Sequence, residues 1–258
     1  MVVFHAHPDD EAIATGGAMA RAAAEGHRVV LVVATGGELG EVAPGVLDEG
    51  EDLATRRAIE VERAGEALGV ARIELLGYQD SGMAGEPTNS APGAFAAADV
   101  DEAAARLAAI LEEEDAEVLT IYDENGNYGH PDHIQVNRVG SRAGRLAGTP
   151  RVYEATVNRD HLLELMRRRG DEMGEIEGAP DPDDFNIGVS ASEITATVDV
   201  RDFVDQKRAA MRAHASQIPE DSFFLQLPDD AFREAFGQEW FIRHDGGART
   251  EETWLFDA

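Results

Sequence analysis

The chain has 258 residues, of which 43% are hydrophobic, so it can bury a substantial core as one large domain or as a main domain with a smaller appendage. Its 22 basic and 51 acidic residues give a net charge of -29, which repels phosphate backbones and anionic lipid and therefore excludes nucleic acid and membrane partners. Cysteine is absent, so disulfides and thiolate ligands are excluded and any metal must be held by His, Asp or Glu.

The start of the sequence also bears on location. Met1 leads directly into an apolar run, without the basic segment, long apolar stretch and cleavage site of a secretory signal. No segment approaches transmembrane length. Together with the lack of cysteine, these features predict a cytoplasmic protein. The sequence leaves the oligomeric state open, and a homo-oligomer is compatible with it.

Apolar runs alternate with helical patterns through residues 1–157. The predicted strands are MVVFHA, HRVVLVVAT, RIELLGY, EVLTIYD and RVYEATV. Helices with an apolar period near 3.6 are predicted approximately over 10–25, 51–68, 100–114 and 132–147, and Asp99 is the expected N-cap of the third. This alternation predicts an α/β fold, with a Rossmann-like, mostly parallel sheet and helices on both of its faces.

The pattern loosens from residue 158 onward. A short Arg-rich helix is followed by a polar Gly/Pro/Asp stretch at 170–188, a strand ITATVDV, a helix over about 201–215 and a closing strand EWFIRH. We interpret residues 158–258 as a smaller α+β region that completes the substrate pocket and is not an independent domain. Residues 1–157 are then the catalytic core.

A long Gly/Pro/Asn-rich segment, GMAGEPTNSAPGAF, follows the third predicted strand. Open α/β sheets have their ligand-binding loops at such positions. The sequence lacks a spaced Gly fingerprint after the first strand, a P-loop and a Gly-x-Ser-x-Gly elbow. Nucleotide binding and a serine nucleophile are therefore disfavoured.

Two polar clusters, HAHPDDE and YGHPDH, follow the first and the fourth predicted strands. Both lie at carboxyl ends of parallel strands, so they can converge at one edge of the sheet. A catalytic zinc needs three ligands and an open position for water, and His7, Asp10 and His133 supply two histidines and a carboxylate. Fe(II) shares this ligand set, so we predict one divalent metal, with Zn(II) as the first choice.

The same clusters contain groups for acid–base chemistry. Asp9 lies beside a predicted ligand without being one, so it is the expected general base for a water molecule. His130, helped by Tyr128, is expected to stabilise the negative oxygen of a tetrahedral intermediate, and protonated His130 would donate to the leaving amine. We expect Asp132 to hold His130 in its working tautomer.

Some polar residues near these motifs have a structural interpretation. His5 shares a strand face with His7, and we interpret it as a packed residue rather than a ligand. Glu11 either serves the site or is a carboxylate favoured by a helix N-terminus. His214, in MRAHASQ, is interpreted as a helix-packing residue. A single His-Pro pair would favour a structural role, whereas two clusters of this composition favour function.

The paired motifs AHPDDE and HPDH resemble the zinc-dependent LmbE/PIG-L family of N-acetylglucosaminide deacetylases. Within that family, DSGMAGEPTNSAPGAF, YDENGNYGHPDH and RAHASQI most resemble the branch that contains the mycothiol biosynthesis deacetylase and the mycothiol S-conjugate amidase. The similarity spans nearly the whole chain.

The resemblance implies a role for individual residues. It agrees with the metal ligands, base and transition-state histidine given above: His7, Asp10, His133, Asp9 and His130. It also implies substrate contacts at Arg57 and Asp80. Without the resemblance, Arg57 is interpreted as part of a solvated helix face, while Asp80 with Ser81 either serves the site or shapes a turn.

The implied activity is removal of an N-acetyl group from a GlcNAc-type sugar conjugate such as N-acetylglucosaminyl-inositol, by hydrolysis of a linear amide bond. The expected partner is a small amino-sugar amide. One alternative is an amidase that cleaves a larger amide of the mycothiol S-conjugate type. A second is a non-catalytic metal-dependent sugar-binding module, which would gain nothing from Asp9. A two-metal phosphoesterase is disfavoured because the convergent ligands suffice for one ion.

Overall fold

The structure is a computed structural model that describes residues 1–170, 185, 187–244 and 252–257. Most of the polar stretch predicted at 170–188 lies outside the described residues. No helix in these described ranges is both long enough and apolar enough to cross a membrane.

The described residues form one mixed sheet of seven strands in the order β3-β2-β1-β4-β5-β7-β6. Strands β1 to β5 are parallel, and β7 pairs antiparallel with both β5 and β6. All seven predicted strands are confirmed. The strands are β1 (Val2–His5), β2 (Val30–Thr35), β3 (Arg72–Tyr78), β4 (Val118–Tyr122), β5 (Arg151–Thr156), β6 (Ala196–Asp199) and β7 (Gln238–Arg243).

Helices connect the strands and cover both faces of the sheet, as the α/β prediction requires. In chain order, the described helices are α1 (Asp10–Ala14), α2 (Gly16–Ala24), α3 (Leu53–Leu68), α4 (Val100–Glu113), α5 (Gly126–Gly129), α6 (Pro131–Ala147), α7 (Arg159–Arg168), α8 (Val204–Ala213), α9 (Phe223–Gln226) and α10 (Asp229–Phe236). The Asp99 carboxylate accepts from the first turn of α4, so the predicted N-cap is confirmed. The two short helices α9 and α10 were not predicted.

The central strands β1, β2 and β4 are buried along their whole length, as expected for a parallel sheet covered on both faces. Successive side chains point to opposite faces, so Val3 packs with α2, α3 and α8 and Phe4 packs with α4 and α6. Strand β7 lies beside β5, so the C-terminal region continues the same sheet. The division into a core and a C-terminal region stays a prediction.

The helix predicted over 10–25 is in fact two helices that meet at Thr15. The backbone N–H groups of Gly17 and Ala18 donate to the Glu239 carboxylate, at 2.7 and 2.8 Å. A carboxylate at these N–H groups satisfies the first turn of a new helix, so α2 begins there. Glu239 lies on β7, more than two hundred residues away, and hence no local pattern could predict this break.

Candidate active site

The two histidine-rich motifs meet at the point where the strand order reverses. Strand β1 lies between β2 and β4, so the chain leaves it in one direction and later continues on its other side. Such a switch point forms a crevice at the carboxyl ends of the strands, where open α/β sheets bind ligands. A cavity of about 790 Å³ opens there and is lined by residues of both motifs.

The structure brings the three predicted metal ligands together. Asp10 lies between the two histidines, with Oδ2 3.4 Å from Nδ1 of His7 and Oδ1 3.4 Å from Nε2 of His133. The imidazole centroids of His7 and His133 are 5.4 Å apart. All three side chains border the cavity.

Asp10 contacts the two histidines through different oxygens, Oδ2 toward His7 and Oδ1 toward His133. A single ion held by all three residues would therefore have to bind between both oxygens of Asp10. Burial by itself would lower the pKa of His7. Hydrogen bonds to the carboxylates of Asp10, Asp132 and Asp80 outweigh burial and hold this pKa well above its ordinary value. Surroundings that favour a cationic histidine also favour a bound cation.

His130 also lies within reach of these ligands. Its ring centroid is 4.7 Å from that of His7 and 5.2 Å from that of His133. In the described part of the chain, side chains with candidate ligand atoms within 4.8 Å of one another form two groups, which are His7, His130 and His133, and His7, Asp80, His130 and Asp132. His130 belongs to both groups and Asp10 to neither. Asp10 stays the predicted ligand because its two oxygens face two different histidines, with Oδ2 also accepting from the His7 backbone N–H at 2.9 Å.

Asp9 has an unusual backbone conformation and a carboxyl group with a raised pKa. It precedes α1 with φ 123° and ψ -31°, a region that non-glycine residues rarely adopt. Its Oδ1 lies 3.1 Å from Nη2 of Arg57. Burial raises the pKa of Asp9 to about 6, although the Arg57 charge opposes this shift. The carboxylate is therefore ionised at neutral pH and accepts a proton more readily than an exposed aspartate.

Arg57 supports the loop that contains Asp9. The residue is 3% exposed, and its guanidinium donates to the Gly37 carbonyl at 2.7 Å and to the Pro8 carbonyl. Gly37 has φ 63°, and a Cβ there would lie 2.2 Å from Nη1 of Arg57, so this close approach requires glycine. Arg57 borders the cavity, and its predicted contact with substrate stays a prediction.

His130 caps the N-terminus of α6. Its Nδ1 accepts from the backbone N–H of Asp132 at 3.1 Å, so the proton of the neutral ring resides on Nε2. Burial lowers the pKa of His130 to about 4, and the neighbouring rings of His7 and His133 act in the same direction. The neutral ring can therefore donate a hydrogen bond from Nε2.

The expectation that the Asp132 carboxylate orients His130 is wrong. This carboxylate is fully buried, accepts from the Ser81 backbone N–H at 2.9 Å and hydroxyl at 2.5 Å, and lies 3.2 Å from Nε2 of His7. It is the Asp132 backbone that holds His130, because the cap geometry turns the imidazole toward the helix N–H groups. The side chain orients His7 instead.

Asp80 and Tyr128 lie at the cavity and touch the predicted ligands. Asp80 accepts from the backbone of Leu39 and Gly82, and its Oδ1 is 3.5 Å from Nε2 of His7. Burial would raise the pKa of Asp80, but the hydrogen bond to His7 outweighs it and holds the pKa below its ordinary range. The Tyr128 hydroxyl is 3.4 Å from Nε2 of His133. The substrate and catalytic roles of the two residues stay predictions.

The first histidine of the HAHPDDE cluster packs beneath the site. His5 is buried, with Nδ1 2.6 Å from the Tyr122 hydroxyl and Nε2 2.8 Å from the Thr15 hydroxyl. Burial lowers its pKa to about 4. Both ring nitrogens are therefore occupied, which agrees with a packed residue.

Sequence reasoning missed the link between Glu11 and His214. Both side chains are fully buried, and Oε1 of Glu11 lies 2.5 Å from Nε2 of His214. The Ser81 contact to Asp132 was also missed, although the DSG motif after β3 was noted. Each contact joins distant segments, so neither had a local signal.

The cavity also extends away from the polar clusters into an apolar half. Elements of the C-terminal region supply most of this surface, with side chains from α7, α9, α10 and β7. The largest are Leu162, Leu165, Phe223, Phe224, Phe236 and Trp240. The polar clusters therefore adjoin a wide apolar space.

Comparison with known proteins gives consistent matches. The family described as PIG-L, GlcNAc-PI de-N-acetylase, matches residues 2–144. The 1D-myo-inositol 2-acetamido-2-deoxy-alpha-D-glucopyranoside deacetylase 1 of Catenulispora acidiphila is 39% identical over 280 residues, covering 99% of this chain and 86% of that protein. The deacetylase of the same name from Acidothermus cellulolyticus is 42% identical over 262 residues, covering 96% and 89%.

Solved structures share the fold at low sequence identity. The N,N'-diacetylchitobiose deacetylase of Pyrococcus horikoshii has a TM-score of 0.62 and 22% identity, over 95% of this chain and 83% of that one. The 4-carboxy-2-hydroxymuconate hydratase of Pseudomonas putida KT2440 has a TM-score of 0.58 and 20% identity, over 94% and 95%. A deacetylase and a hydratase therefore share this architecture, and the fold alone does not specify the reaction.

Proposed function

The chain belongs to the PIG-L family of GlcNAc-PI de-N-acetylases, and from that premise we propose that it is a metal-dependent hydrolase that removes the acetyl group from N-acetylglucosaminyl-inositol or a closely related GlcNAc conjugate. The reaction is hydrolysis of the acetamide to acetate and a free sugar amine. The two relatives described above, which align with nearly the whole chain, are named for this substrate.

One observation carries the proposal. Asp10 lies 3.4 Å from His7 and 3.4 Å from His133, and the adjacent Asp9 carboxylate has Arg57 as its ion-pair partner. This arrangement supports three ligands for one ion and a separate base. A sugar-binding module would need the first and not the second.

The proposed ion is divalent, with Zn(II) as the first choice and Fe(II) sharing the ligand preference. His7, Asp10 and His133 would hold it. When bound, it supplies Lewis-acid polarisation of the amide carbonyl and of a water molecule. Asp132 keeps His7 in position through its contact with Nε2.

The remaining steps belong to side chains of the chain itself. Asp9 accepts the proton of the attacking water, and Arg57 keeps its carboxylate in place. His130 donates from Nε2 to the oxygen that becomes negative in the tetrahedral intermediate, and the Tyr128 hydroxyl assists from the cavity wall. The proton on Asp9 then passes to the nitrogen of the departing amine.

The test is release of acetate from N-acetylglucosaminyl-inositol by zinc-loaded protein. We expect turnover by the wild type and a loss of roughly 10²- to 10⁴-fold for Asp9→Ala, with one metal bound per chain in both. Wild-type protein that binds one metal without releasing acetate would reject this substrate. An Asp9→Ala variant that retains wild-type turnover would reject the assigned base.

The apolar half of the cavity favours a second candidate, an amidase that acts on a larger amide. An acetyl group and a sugar have no use for the aromatic wall formed by Phe223, Phe224 and Phe236. Relative rates on acetyl and bulkier acyl amides of the same amino sugar separate the candidates. A higher kcat/KM for the bulkier amides would favour the amidase.

A further inference from the structure

The backbone of Asp9 is strained and needs support from its surroundings. Its φ of 123° is unfavourable for an L-residue, and such a conformation persists only where neighbouring contacts determine it. One contact is direct, because the backbone N–H of Asp9 donates to Oε2 of Glu11 at 2.9 Å. Glu11 therefore helps to fix the peptide from which the base projects.

The other oxygen of Glu11 reaches a residue of the C-terminal region. Oε1 lies 2.5 Å from Nε2 of His214, which follows α8. Glu11 and His214 are each 0% exposed. A buried carboxylate without a partner is strongly unfavourable, so the place of Glu11 depends on His214.

We propose that His214 is a positioning residue for the general base and acts through Glu11. The route runs from the His214 imidazole to the Glu11 carboxylate and from there to the Asp9 N–H. The inference rests on the proposed function, which assigns Asp9 as the base. His214 lies far beyond residues 2–144, so the C-terminal region sets the geometry of a motif in the family-matched part.

The first variant is His214→Leu, which fills a similar volume with an apolar side chain and removes both ring nitrogens. A reacting group displaced by about 1 Å can lose a factor on the order of 100 in rate, so we expect kcat to fall roughly 10- to 100-fold. KM should stay within about twofold, because His214 does not border the cavity. Hydrogen exchange at the Asp9 amide should become faster, since its acceptor is displaced.

A second variant separates positioning from loss of charge balance. In Glu11→Gln/His214→Leu, the neutral amide oxygen still accepts from the Asp9 N–H and needs no cationic partner. We expect kcat to recover to within about fivefold of the wild type. In Glu11→Leu/His214→Leu no buried charge remains either, but the acceptor is lost, so kcat should stay low. This pair of variants gives the test even if His214→Leu alone does not fold.

Ser216→Ala is the matched control. Ser216 lies two residues after His214, is equally buried and binds a buried glutamate, with its hydroxyl 2.6 Å from Oε2 of Glu60. The Ser216–Glu60 pair does not contact Asp9. Loss of this hydroxyl should lower the Tm and leave both kcat per folded molecule and exchange at the Asp9 amide unchanged.

Two results would overturn the proposal. One is an equal loss of kcat in His214→Leu and Ser216→Ala. The other is identical exchange at the Asp9 amide in the two double variants. Exchange is measured on zinc-loaded protein without substrate, so a wild type that fails to deacetylate the sugar conjugate would reject the proposed function and leave the positioning route testable.

Discussion

Two groups of buried charges line the same cavity, and they differ in how completely they are satisfied. The Lys207–Glu239 pair is closed, because Glu239 accepts from Nζ of Lys207 at 2.5 Å and from the N–H groups of Gly17 and Ala18. The cluster at the ends of β1 and β4 contains more carboxylates than permanent cations.

This difference indicates which of the two groups of charges is the candidate functional site. In the cluster, Arg57 is the permanent cation among the carboxylates of Asp9, Asp10, Asp80 and Asp132. The histidines balance the excess only if they are protonated or if an external cation binds. Burial and charge are common to both groups, so neither property by itself marks a site. An incomplete charge balance does.

The largest effect on stability should come from breaking the closed pair. Lys207→Met leaves the Glu239 carboxylate buried at the start of α2 without its cation, so we expect the free energy of unfolding to fall by about 3–5 kcal/mol. Urea unfolding of the metal-free protein measures it. In Lys207→Met/Glu239→Gln no charge of this pair is left buried and the amide oxygen still accepts from the start of α2, so this double variant should be more stable than Lys207→Met alone. A loss below about 1 kcal/mol in the single variant would contradict the contrast between the two groups.

An intermediate effect should come from the incomplete cluster, where removing the Asp9 charge should become more favourable for stability as pH rises. The pKa of Asp9 is raised to about 6, above the ordinary value of 3.8, so this carboxyl stabilises the fold most below pH of about 4 and loses that contribution as pH rises through about 6. In metal-free protein, the free energy of unfolding of the wild type minus that of Asp9→Asn should fall by roughly 2–3 kcal/mol between pH 4 and pH 7.5.

The stability of Asp9→Asn relative to the wild type is therefore expected to rise as pH increases over this range, while its activity is lost. Parallel urea titrations at several pH values measure the difference directly. A stability difference that is independent of pH would mean that the pKa of Asp9 is the same in the folded and the unfolded protein, which would contradict the prediction. Zinc should reduce the difference, because a nearby cation stabilises the ionised carboxylate.

The smallest effect should come from an ion pair whose two charged groups are both exposed to water. Arg142 and Asp101 are 2.7 Å apart, but their side chains are 42% and 73% exposed. Arg142→Ala should change the free energy of unfolding by less than about 1 kcal/mol, and by less still in high salt. A loss comparable to that of Lys207→Met would mean that proximity rather than burial decides the contribution of an ion pair in this protein.

The convergence of the predicted ligands could be inferred from the sequence because it depends on local patterns. Both motifs directly follow apolar runs, and the carboxyl ends of parallel strands meet at one edge of a sheet. His7, Asp10 and His133 therefore come together as their positions suggested. The cap of α4 at Asp99 was predictable for a similar reason, since a helix N-terminus is written within a few residues.

The contacts that complete the site could not be inferred in this way. Glu239 starts α2 and His214 holds Glu11, and each contact joins segments about two hundred residues apart. The carboxylate of Asp132 contacts His7 and not His130. Asp132 contacts the His130 ring through its backbone N–H, which donates to Nδ1 in the helix cap. Such contacts depend on how the C-terminal region packs, which no periodic pattern records.

Lys207 is the single lysine of the chain and is 1% exposed. Reagents that acylate side-chain amines will therefore find no target on the folded surface, whereas every unfolded molecule presents one. The rate at which Lys207 is labelled then reports how often the wall between α8 and β7 opens, at one known position and without an engineered probe. The lysine that pairs with Glu239 therefore also reports how often this part of the structure opens.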